Sequence, residues 1–122
     1  MKNIIILTIL VFSGCLHLET NHSNYLVKAQ IAMQIVGQDV TNIEDPQIVI
    51  TSLPGMRSIY KMYTGEKLKS KAFYLKATKQ IYLSKITPEI QSSHEALHYY
   101  LCTLFPNMSF DMQHLIIGRM GY

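Results

Sequence analysis

The chain has 122 residues, 48% hydrophobic and 16% charged, which suits one domain with one modest core and excludes a disordered chain. Its net charge of +3 is weak, and no basic block accompanies it, so nucleic acid is not implied as a partner. The lysines between Lys67 and Lys79 are spaced out and read as a solvated hairpin face.

Met1-Lys2-Asn3 is a short positive start, and Ile4 to Phe12 is an apolar run too short to span a bilayer as a mature helix. Phe12-Ser13-Gly14-Cys15 follows and resembles a bacterial lipobox, with Phe12 at the place where leucine is usual. The expectation is a lipoprotein signal peptide over 1–14 and lipidation at Cys15. The protein is then exported and tied to a membrane through its lipid; an ordinary secretory signal or an uncleaved anchor is the competing reading. Leu16 after Cys15 does not look like an inner-membrane retention signal, which favours the outer membrane or the cell surface. With Cys15 lipidated, Cys102 has no partner for an intrachain disulfide and reads as a small buried apolar residue.

Residues 15–24 read as a polar tether, and 25–122 as the folded domain. Tyr25 to Gln38 has apolar residues at Leu26, Ala29, Met33 and Val36, with Ile31 and Ile35 beside them, which predicts a helix with a wide buried face and a stop at Gly37. Gln47 to Ser52 is a short β-branched strand, and Leu53-Pro54-Gly55 is a turn signal. Arg57 to Met62 fits a strand or a helical turn equally well. Thr64-Gly65-Glu66 is another turn. Ala72 to Leu75 and Gln80 to Leu83, separated by Lys76-Ala77-Thr78-Lys79, predict a β-hairpin. Thr87-Pro88-Glu89 predicts a helix start with Thr87 as N-cap and Pro88 at its first position. That helix runs to about Leu104 and ends at Phe105-Pro106-Asn107. Ser109 can cap a last helix from Phe110 to Met120. The expected class is α+β, with an N-terminal helix, a small sheet and two C-terminal helices.

The chemistry lies in Ser93-His94-Glu95-Ala96-Leu97-His98, which contains H-E-x-x-H. On a helix, His94 and His98 at i and i+4 share a face and can hold one Zn²⁺. Glu95 sits a step round the helix, where it can reach a water without ligating the metal. The plain alternative is an apolar stripe of Ile90, Leu97, Leu101 and Leu104 bordered by two part-buried histidines that hold nothing. A catalytic zinc wants a third protein ligand. The metzincin continuation is excluded because Leu101 and Leu104 stand at its glycine and histidine places, and the gluzincin form is excluded because no glutamate follows Glu95. His114 and Asp111 remain, and neutral imidazole favours His114 as the ligand. Asp111 then serves as an acceptor for an imidazole N–H, or as the alternative ligand.

Together, H-E-x-x-H, a strand leading into its helix and a histidine on the next helix resemble small bacterial zincin-like metallopeptidases, broadly of the SprT-like type, over roughly the C-terminal half. The resemblance implies a minimal zincin-like domain and zinc-dependent hydrolysis of peptide bonds, with Glu95 as general base for the metal's water. It also implies that Lys79 to Leu83 edges the cleft and pairs with an extended peptide or protein substrate. Tyr82, Tyr99 and Tyr100 are candidates by residue type for stabilising the oxyanion. SprT proteins proper carry a zinc ribbon, and this chain has no cysteine pairs, so their DNA-associated role is not carried over. Two further readings stand beside the enzyme: a non-catalytic zinc-binding or protein-interaction lipoprotein on the same frame, and a structural lipoprotein with a chance motif.

Overall fold

The computed structural model describes residues 17–19 and 24–122, so the expected signal peptide and Cys15 lie outside the described residues. The chain forms β1 (His17–Glu19), α1 (Asn24–Ile35), β2 (Gln47–Ile50), α2 (Leu53–Thr64), β3 (Ala72–Leu75), β4 (Gln80–Leu83), α3 (Glu89–Leu104) and α4 (Phe110–Arg119). The class is α+β: among the described residues, four helices and a small mixed sheet. β2 and β4 run parallel, β4 and β3 antiparallel, and β1 adds an antiparallel edge to β2, giving the order β1-β2-β4-β3.

Two expectations change at once. Part of the supposed tether is a strand, with His17 opposite Ile50 and Glu19 opposite Ile48. β4 is central rather than an edge, because β2 occupies its other side; among the described residues the edges are β1 and β3, and β3 is the one beside α3. A period-2 pattern cannot tell a central strand from an edge strand, since both alternate their side chains alike.

The alternation divides the core in two. Ile48, Ala72, Tyr74, Ile81 and Leu83 face a cluster built on α1 and α3. Val49, Phe73, Leu75 and Tyr82 face the other way, against Met56 and Ile59 of α2. Both strands of the hairpin are buried throughout, since helices cover both faces.

The segment around Pro54 is a helix rather than a turn, and of the two readings open for Arg57 to Met62 the helical one holds. Ser52 caps it by accepting from the Gly55 N–H at 3.2 Å, Pro54 sits in the first turn, where its missing N–H has no intrahelical partner to lose, and Gly65 closes it at φ 75°. α1 buries Leu26, Ala29, Ala32 and Met33 but leaves Ile31, Ile35 and Val36 exposed, so its buried face is narrower than the apolar pattern predicts. It stops as expected at Gly37, at φ 87°, with the Gln38 N–H returning to the Met33 carbonyl at 2.9 Å.

α3 is the central helix, buried against α1, β3 and α4. It begins at Glu89, and Thr87 does not cap it. The Thr87 hydroxyl instead donates to the Lys71 carbonyl at 2.6 Å and accepts from the Ser84 N–H at 2.8 Å. Thr87 thereby ties the start of α3 to the entry of β3, and so fixes the helix beside the open strand. Ile90, expected on the buried stripe, is exposed, whereas Leu97 and Leu101 are in the core.

Candidate metal centre

α3 ends at Phe105, and the turn through Pro106 leads back into α4, whose first N–H groups are capped by Ser109 through the Met112 N–H at 3.2 Å. The buried side of α4 carries Gln113 and Ile117, one turn apart. Their burial seats α4 against α3 and brings His114 to the motif histidines. Ring centroids lie 4.8 Å apart for His94–His98, 4.7 Å for His98–His114 and 5.4 Å for His94–His114. One ligand nitrogen from each of the three falls within 4.8 Å of the others, close enough to bind a metal ion. No other group of three such side chains occurs among the described residues. Phe110 packs edge-on against His98, with centroids 5.1 Å apart.

The partners of the two motif rings decide which nitrogens are available. His94 Nδ1 lies 3.1 Å from the Tyr122 carbonyl, which can only accept, so Nδ1 carries the proton and Nε2 a lone pair. His98 Nδ1 lies 2.7 Å from Gln113 Oε1. The amide is oriented by its other end, where Nε2 donates to the Met108 carbonyl at 3.3 Å. His98 Nδ1 therefore donates, and its Nε2 also carries a lone pair. The two Nε2 atoms face each other at 3.2 Å. Two acceptors at that separation repel unless a cation is shared between them. Two imidazole nitrogens held at 2.0–2.1 Å by one tetrahedral metal stand about 3.3 Å apart, which matches.

Electrostatics argues against a proton as that cation. Burial, opposed by the Gln113 hydrogen bond and reinforced by His94 and His114, pushes His98 down to about 4. Burial likewise lowers His94, against the Tyr122 carbonyl that raises it. Both rings are held neutral, the form that ligates metals.

Glu95 reaches β3, where its carboxyl accepts from the backbone N–H of Tyr74. Its carboxyl is only part-exposed at the cleft and densely surrounded by protein; burial pushes it up to about 8, against the backbone N–H of Tyr74, which lowers it. Glu95, His98 and His114 open onto a cleft of about 560 Å³ whose opposite wall is Ala72 to Lys76, the open strand of the sheet.

Other expected site residues lie elsewhere. Tyr82 is fully buried on the far face of the sheet, stacked on Phe73 at 4.7 Å and donating to Gln80 Oε1 at 2.7 Å, so it cannot reach the cleft. The Tyr99 hydroxyl donates to the Glu44 carbonyl, and the Tyr100 hydroxyl accepts from Gln30 Nε2 at 3.0 Å, both turned toward the N-terminal part of the domain. The tyrosines that line the cleft are Tyr60 and Tyr74. Asp111 is exposed in the first turn of α4 and takes no part in the histidine group. The acceptor role expected of it belongs to Gln113, which is 1% exposed and also touches the free thiol of Cys102. A polar residue one turn before Ile117, on the face that α4 buries, was the available signal for Gln113. No family model, curated protein or solved structure matches the chain.

Proposed function

We propose that this protein is a zinc-dependent peptidase on a minimal zincin-like frame, tethered to a bacterial membrane through lipidated Cys15 outside the cytoplasm. The observation that carries the reading is the pair of lone pairs at 3.2 Å, with His114 beside them and a glutamate between the rings and an open strand. His94, His98 and His114 would hold the metal. Zinc supplies Lewis acidity, which polarises a carbonyl and acidifies water. Three neutral nitrogen donors with oriented tautomers suit it, and the N–N separation fits its tetrahedral bond lengths.

The chain's own groups do the rest. The outer edge of β3 offers an extended peptide the backbone groups that remain once Ser70 Oγ donates to the Ala72 carbonyl and the Tyr74 N–H to Glu95, and pairing there needs no particular side chain. This supports the substrate class, and it transfers to β3 the role that the sequence assigns to Lys79 to Leu83. Glu95, as carboxylate, accepts the proton of the attacking water and passes it to the leaving amine. Its raised pKa keeps it largely protonated at neutral pH until a cation beside it favours the charged form. Glu95 would therefore become a competent base only once the histidine site beside it is filled.

The test is zinc content and peptide hydrolysis, measured on wild type and Glu95→Gln. One equivalent of zinc is expected in both, with hydrolysis reduced about 10²–10⁴-fold in the variant. Equal cleavage by the two proteins sinks the peptidase reading. Zinc in both without cleavage by either favours the non-catalytic metal-binding lipoprotein.

A further inference from the structure

The cleft beside Glu95 has a charged rim that peptide hydrolysis by itself does not require. Lys67, Lys69 and Lys76 line it, and Glu66 is the single acid on that rim apart from Glu95 itself. Among the described residues none of the three lysines has an ion-pair partner. Leu68 is buried at 7% exposure, whereas Lys67 and Lys69 on either side of it are exposed. At the other end of β3, Lys76 Nζ donates to the Pro106 carbonyl at 2.7 Å, which leaves two of its three donors for another group. The positive charge therefore stands on both flanks of β3, with Lys67 and Lys69 ahead of it in the chain and Lys76 just after it.

We propose that the cleft selects extended peptides with acidic side chains on both sides of the bond to be cut. The proposal rests on the peptidase reading and adds the substrate class to it. The Tyr74 backbone N–H donates to Glu95, so the reacting position lies beside Tyr74, with Lys76 on one side of it along the chain and Lys67 and Lys69 on the other. Bends at Ser70 and Lys71 separate Lys67 and Lys69 from β3, and Lys76 stands in the hairpin turn, so the lysines fix the two flanks on which charge is read and not a residue count. The preference therefore falls on acids flanking the cut on either side. Exposed lysines act through modest, salt-screened attraction, so the preference is graded and depends on ionic strength.

The experiment uses the zinc-loaded full chain and three sets of internally quenched peptides matched in length, with acidic, neutral or basic residues flanking the cut. Cleavage of the acidic set is expected to be roughly fivefold to tenfold more efficient than that of the neutral set at low salt, through KM, with the gap closing near 0.5 M salt. Lys67→Glu/Lys69→Glu is expected to reverse the order for peptides charged on one side of the cut and to leave it for those charged on the other. Binding of the same peptides to zinc-loaded Glu95→Gln, read by fluorescence anisotropy, separates the two ideas. Acidic preference in binding without cleavage by wild type keeps the charge selection and sinks the peptidase. Cleavage with no preference, or with preference for the basic set, overturns the charge selection and leaves the peptidase standing.

Discussion

Two clusters of packed rings border β3, and they differ in one respect. Around Phe73, the ring of Tyr82 stacks at 4.7 Å and that of Tyr60 meets it edge-on at 5.0 Å. Around His98, the rings of His94 and His114 lie at 4.8 and 4.7 Å. The spacings are alike, although both neighbours of His98 meet it edge-on. In the first cluster the buried Tyr82 hydroxyl spends its proton on Gln80, and the Gln80 amide turns to Gln47 at 3.2 Å, so polar groups are paired within the core. In the second the outer nitrogens are paired and the inner ones are turned on each other. A core closes its polar atoms on one another; a binding site leaves some of them convergent.

The sharpest way to break this contrast is to change one ring in each cluster. His98→Ala is expected to abolish stoichiometric zinc binding, measured by metal analysis after dialysis, because a site of three protein ligands loses one. Zinc retained at one equivalent in that variant would sink the assignment. Next in size is Gln113→Leu. It leaves all three imidazoles in place but frees the His98 ring, and zinc affinity measured by competition with a chelator should fall about 10–100-fold. Asp111→Asn, which alters an exposed group outside the cluster, should leave that affinity unchanged. Tyr82→Phe acts on the other cluster. It strands the buried Gln80 acceptor, with an expected loss of about 1–3 kcal/mol in chemical denaturation and no change in zinc content.

The shallowest effect is the pH dependence of the metal-free protein, followed by thermal unfolding in chelator. His98 falls from 6.5 in the unfolded chain to about 4 in the folded one, so the unfolded state binds the extra proton and stability drops as pH falls from 6.5 toward 4. Glu95 rises from 4.5 to about 8, so the folded state binds the extra proton and stability drops as pH rises from 4.5 toward 8. The two slopes oppose each other between 4.5 and 6.5, and above 6.5 Glu95 acts without His98. Melting temperature should therefore decline from pH 6.5 to 8 in wild type, and Glu95→Gln should remove that decline. A decline that survives the substitution assigns it to another group.

Much of this architecture was legible in the residues. The hairpin falls on Ala72–Leu75 and Gln80–Leu83, Ser109 caps α4, and Pro106 follows the end of α3, because turn, cap and breaker chemistry act over a few residues. The segment from Leu53 was misread because Pro-Gly serves both a turn and a helix's first turn, and the burial of Met56 and Ile59 under the sheet decided between them. Thr87 was misread because its hydroxyl had a stronger long-range partner in the Lys71 carbonyl than the local cap. Tyr82, Tyr99 and Tyr100 were chosen by residue type, and their direction depends on which face of a strand or helix meets which neighbour.

The amino-acid order alone determined that two histidines and a glutamate would share one turn of a helix, since i and i+4 geometry follows from the helix itself. It also placed His114 on the following helix. Only the tertiary structure decided that His114 comes to the other two, that Gln113 and the Tyr122 carbonyl turn both Nε2 lone pairs inward, and that β3, not β4, forms the open wall of the cleft. The physical reason is range. Spacing along a helix is local, whereas the orientation of an imidazole depends on a partner 15 or 28 residues away, and the edge of a sheet depends on which strand finds no neighbour.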